Sequence, residues 1–232
     1  MKAILITVCI FGIALRLRPA SFLNLNFEEA NTNNAVSIGL NFGARGTTDD
    51  LIPNWSLFNH QSRVVQMGLN AFPSGGDALT IASRNGGNQF FNAGVFPLEG
   101  NFALFLPSSS PPGALWISQT GTIPTDAHDI AFLSFGYPME LRINGNLLPL
   151  TYTYSNPHVT SGNLRYGVGT GDISSFAGMD VELRFSVAAA GEHINGLDDI
   201  RFLSVPEPGT LALLGLGGLM LGWRTVQQRR RR

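Results

Sequence analysis

Val181-Glu182-Leu183-Arg184-Phe185-Ser186-Val187 decides the fold. Apolar residues at 181, 183, 185 and 187 alternate with polar ones at 182, 184 and 186, the period of two that belongs to a half-buried β-strand. Shorter stretches with the same strand character occur at 22–27, 36–40, 65–69, 79–81, 102–106, 115–118, 130–135, 139–143 and 200–202. Asn144-Gly145 between Ile143 and Leu147 predicts a hairpin, because a type I′ turn needs positive φ at both central residues. Gly- and Pro-rich punctuation (Ser74-Gly75-Gly76-Asp77, Asn85-Gly86-Gly87-Asn88, 107–113) separates these runs, and no stretch between 22 and 204 sustains a helical period. Ten or so strands at this spacing predict an all-β body: a two-sheet antiparallel β-sandwich, jelly-roll-like, plus a single C-terminal hydrophobic helix.

The organisation divides in three. Residues 1–21 read as a leader: Lys2 followed by the apolar run from Ala3 to Leu15. It is an atypical signal peptide, since Arg16 and Arg18 stand where small residues belong and no A-x-A site precedes Ser21. Residues 22–204 form the extracytoplasmic sandwich, long enough for one sizeable core. Residues 205–232 are a tail of different composition. Pro206 and Pro208 break any preceding strand or helix, Leu211 to Trp223 carries no charge, and Arg224 with Arg229, Arg230, Arg231 and Arg232 makes a basic stop. Thirteen uncharged residues make a helix of roughly 20 Å, short of the ~30 Å hydrocarbon core. Such a helix is a marginal, transient anchor, with the arginines on the cytoplasmic side.

Charge follows the same division. The formal net charge is −1, but eight of fifteen basic residues lie in the two ends. Between Phe22 and Ser204 there are seven arginines, no lysine and fifteen acidic residues, a net charge near −8. That sign excludes a nucleic-acid partner. The only cysteine is Cys9, so the body has neither a disulfide framework nor a cysteine-ligated zinc site.

The ordered parts of the tail, Val205-Pro206-Glu207-Pro208, the Gly/Leu-rich run and the arginine cluster, resemble the PEP-CTERM sorting signal of Gram-negative bacteria. The resemblance implies an exosortase, a membrane-embedded protease, as partner. It further implies export, transient anchoring in the inner membrane, removal of the tail, and a final place on the outer surface or outside the cell. A second likeness covers Asn24-Leu25-Asn26-Phe27-Glu28, Trp55 and Leu197-Asp198-Asp199-Ile200, whose order is similar to galactose-binding-like, carbohydrate-binding-module-like jelly rolls. In those the opening and closing segments lie side by side and several hold a structural calcium. The likeness therefore implies Glu28 and Asp199 as metal ligands, against a reading of these acids as turn and surface groups.

No catalytic centre is legible. His60, His128, His158 and His193 show no i, i+4 metal spacing, and there is no H-E-x-x-H or G-x-S-x-G. Asp126 and Asp129 flank His128 in what reads as an acidic loop. Exposed aromatics would suit sugar rings. Tyr152 and Tyr154, on one face of one strand, are the candidates, whereas Trp55 and Trp116 read as core. The sequence thus predicts a non-catalytic surface or matrix protein, associated with exopolysaccharide and biofilm, that works without a cofactor apart from that calcium. The alternative is a lectin-like module binding exopolysaccharide; a glycoside hydrolase comes third.

Overall fold

The computed structural model describes residues 21–39, 43–71, 79–84, 98–107, 114–154, 166–187 and 194–204. The leader and the whole tail, including Val205, Pro206, Glu207, Pro208 and the five arginines of the basic stop, lie outside these residues, as does the expected C-terminal helix. Among the described residues no helix is long and apolar enough to cross a membrane.

The strands, in chain order, are β1 (Val36–Ser37), β2 (Ala44–Thr47), β3 (Ser56–Asn59), β4 (Ser62–Val64), β5 (Gln66–Leu69), β6 (Thr80–Ser83), β7 (Phe102–Pro107) and β8 (Leu115–Thr122). They continue as β9 (Ala127–Phe135), β10 (Met139–Ile143), β11 (Asn146–Leu148), β12 (Thr151–Tyr154), β13 (Tyr166–Asp172), β14 (Asp180–Val187) and β15 (Ile194–Ser204). One α-helical turn, α1 (Thr48–Leu51), and a 3₁₀ turn at Ser174–Phe176 are the helical content of these residues. The strands form two sheets, β1-β2-β5-β6-β7-β15-β9-β13-β12 and β11-β10-β14-β8-β3-β4. The chain crosses repeatedly between them, and every strand pair is antiparallel except β5–β6. The all-β sandwich predicted from alternation is the observed architecture.

The deciding stretch is β14, which lies inside the six-stranded sheet and pairs with β10 on one side and β8 on the other. Val181, Leu183, Phe185 and Val187 are buried, and with Leu57, Ile117, Leu141 and Ile143 they make that sheet's inner face. Trp55, Phe132, Leu104 and Leu197 belong to the same core. Asn144 and Gly145 both have positive φ, as the β10–β11 hairpin requires.

Residues 22–27 depart from the expected strand. Only Ser21 makes a bridge, to Thr122. Asn24 and Phe27 adopt positive φ, which throws the chain into turns, so Phe22 and Phe27 are buried while Leu23 is exposed. Asn24 is buried as well, because its carbonyl accepts from Trp55 Nε1 (3.0 Å) and its amide donates to the Pro53 carbonyl (3.1 Å). A local hydrogen-bond network overrode the period of two here.

Candidate functional site

Among the described residues, two groups of carboxylates and two aromatic pairs bring chemistry-bearing side chains together. The first carboxylate group sits where the opening segment meets the closing strand: Ile200 N–H donates to the Leu25 carbonyl (3.0 Å). Glu28 reaches from the opening segment to the turn before β7. Its carboxylate accepts from the backbone N–H of Asn101 (2.6 Å) and Phe102 (2.9 Å) and from Asn101 Nδ2 (3.1 Å). Gly100 makes this approach possible: its φ is +61°, and a Cβ there would stand 2.2 Å from Glu28 Oε1.

Asp198 and Asp199 lie at a register shift in β15. Asp198 is fully buried and accepts from the N–H groups of Glu99 (2.8 Å) and Asp199 (2.7 Å). Burial pushes its carboxyl up to about 7; the two amide hydrogen bonds pull the other way, and the nearby Asp199 and Glu28 charges push it further up. Asp199, at φ +46°, turns outward to Arg201, whose Nε donates to it at 2.6 Å, and the same guanidinium reaches Glu99 at 2.9 Å. Strand alternation gives no warning that Leu197 and Asp198 are both buried, nor that Glu99, Gly100 and Arg201 join the group.

Calcium takes six to eight oxygen ligands. Around Glu28, Asp198 and Asp199 the nearest partners are N–H donors and a guanidinium, each already directed at a carboxylate oxygen. The three carboxylates do not converge, since the one group of three His, Cys, Asp or Glu near enough to share an ion among the described residues lies elsewhere. The donor set fits a hydrogen-bonded clamp and does not fit a calcium shell.

That other group is His128, Asp129 and Asp172, with ligand atoms within 4.8 Å of one another. Antiparallel pairing sets Asp172 opposite Asp129, so the carboxylate that joins His128–Asp129 comes from β13 rather than from Asp126. His128 Nδ1 stands 3.1 Å from Asp129 Oδ2, and both side chains are over two-fifths exposed. The Ser174 hydroxyl and N–H, hydrogen-bonded to Asp172, hold its carboxyl below the usual range. His128 and Asp172 are exposed and Asp129 is half-buried, so the group lies open at the surface.

The aromatics are distributed otherwise than the sequence suggests. Tyr152 and Tyr154 do share a face of β12 and stack at 5.9 Å. Tyr152, however, donates its hydroxyl to the Met139 carbonyl (2.8 Å) and meets Phe132 edge-on, packed against the core, and burial raises its phenol above the ordinary value. Tyr154 is 37% exposed. Trp55 is core, as read. Trp116 is not: on the outer face of the six-stranded sheet it stacks on Phe58 at 4.0 Å, and Arg184 lies 4.0 Å from its ring centroid. The alternation of Leu115 and Ile117 inward already carried that signal. His158 and His193 lie outside the described residues.

Beyond the body, the family model of the PEP-CTERM protein-sorting motif matches residues 204–231. No curated protein and no solved structure matches the chain.

Proposed function

We infer that the body is a non-catalytic component of the cell surface or extracellular matrix, in the exopolysaccharide-rich setting of a biofilm, released there once its tail has been processed. The coarser part of this rests on the motif: the chain is an exported protein, held transiently at the membrane through its C-terminus and sorted by exosortase. The observation that carries the reading is where the motif begins. β15 lies inside the nine-stranded sheet, between β7 and β9, and its last paired residue is Ser204. The matched segment starts at that same residue. Cutting beyond Ser204 leaves every described strand intact, so the released sandwich keeps the pairing of both sheets.

The body then acts by association rather than by reaction. Its histidine–carboxylate group is open to water, and its carboxylate clamp is spent on holding the turn at 98–102. The C-terminal peptide of the protein from culture medium, by mass spectrometry, tests the reading. A terminus close to Pro208 is expected; a soluble cytoplasmic protein retaining Arg232 would overturn it.

A lectin-like role has one observation in its favour, the exposed ring of Tyr154. Trp116 offers less, because Phe58 and Arg184 occupy its ring. Saccharide binding on a glycan array that disappears in Tyr154→Ala would establish this second reading in place of the first.

A further inference from the structure

Both junctions of the body leave from one pole. Ser21, where the leader ends, bridges to Thr122, and Ser204, where the tail begins, pairs with Ala127. The connection between these two partners, 123–126, is bound to the connection between β13 and β14: Ile123 N–H donates to the Met179 carbonyl (3.0 Å) and Gly178 N–H to the Ile123 carbonyl (3.0 Å). A third bond, from Ile173 N–H to the His128 carbonyl (2.8 Å), completes a braced end of the sandwich.

This pole has a definite chemistry. Asp126, Asp129, Asp172 and Asp180 lie in it, and segments 21–23, 122–129, 172–180 and 203–204 contain no lysine or arginine. Two apolar side chains flank the acids: Met179 is 52% exposed and Leu203 41%. Only Val205 separates the last paired residue from the Pro206-Glu207-Pro208 motif. Four extended residues span about 14 Å at most, so anything that acts near Pro208 works against the pole itself.

We propose that this acidic pole is a contact surface for the processing protease, seated on a basic extracytoplasmic surface of that enzyme. The proposal rests on the sorting reading above. Charge selects protein over lipid, since interfacial binding to bilayers uses Lys and Arg beside the apolar groups, and the four segments that form the pole have neither. Complementary charge would also orient the substrate, presenting the 205–208 segment in one register.

The test follows tail removal by pulse-chase in cells carrying a tagged exosortase, using the full chain. Combined Asp126→Lys and Asp129→Lys is expected to slow removal about tenfold or more, the size expected of like charges brought together. Ten Gly/Ser residues inserted between Ser204 and Val205 are expected to restore the rate of that variant, which a folding defect would not allow. A photoreactive phenylalanine in place of Met179 is expected to capture the tagged exosortase, while one in place of Tyr137, near the opposite end of β9, is not. Unchanged processing of the charge-reversed chain, capture of phospholipid alone, or equal capture at both positions would overturn the proposal. Failure of the sorting reading looks different: the unaltered chain would then keep Arg232, and both would fall.

Discussion

Glu28, Asp198 and Asp199 make one group and His128, Asp129 and Asp172 another, and the two are built from similar residues and do different work. The first group is tied to backbone N–H groups and to Arg201, and one member is wholly buried. The second is closer together and more exposed, its members tied to one another and to Ser174. Proximity of ionisable groups is thus a poor guide to their energetic weight. What they are bonded to, and how far water is excluded, decides it.

That contrast can be broken by mutation. Glu28→Ala leaves two backbone donors of the turn before β7 without their charged acceptor, and a loss of about 3 kcal/mol is expected in urea unfolding. His128→Ala should stay within about 0.5 kcal/mol, as an exposed side chain away from packing does. Equal costs would abolish the distinction.

Asp198 supplies a pH signature the exposed group lacks. Its carboxyl titrates near 7 when folded and near 3.8 when unfolded, so between those values the folded state holds the extra proton. Stability from this group is therefore greatest in acid and falls as pH rises from about 4 to 7, by roughly 2–4 kcal/mol. Asp198→Asn should flatten that fall while costing a constant amount, because its amide faces one of the two N–H donors. Unfolding midpoints in urea at pH 5, 6, 7 and 8 measure both; an unchanged slope in the variant would assign the fall elsewhere.

Gly100→Ala should cost about 2 kcal/mol, from a strained positive φ together with the clash against Glu28. Glu28→Ala should make the same substitution cheaper, since only the backbone strain remains, and a double-mutant cycle reads the difference. Metal should have the smallest effect of all: millimolar calcium, or EDTA, is expected to move the thermal midpoint by less than about 1 °C. A rise of several degrees with calcium would show that the clamp opens its oxygens to an ion after all.

Much of this was legible before any coordinates. Alternation at 181–187 and 139–143, with Asn144-Gly145 between strands, identified the sandwich and one hairpin, because side chains on a pleated surface must alternate whatever their neighbours are. The tail was legible for a different reason: prolines, an uncharged run and arginines act through composition and order, without needing a fold. Trp116 could have been placed on the outer face by counting parity from Leu115 and Ile117. Residues 22–27 could not, since positive φ at Asn24 and Phe27 is set by a tryptophan and a carbonyl far along the chain.

The sequence by itself therefore determined the fold class and the sorting route, both of which depend on local period or on a linear address. Tertiary structure alone decided that Asp198 is buried, that Arg201 answers Asp199 and Glu99, and that leader and tail depart from the same pole. Those facts depend on which strands end up adjacent, and adjacency across 99 to 102 residues of chain is fixed by the packing of the whole core, not by any stretch read on its own.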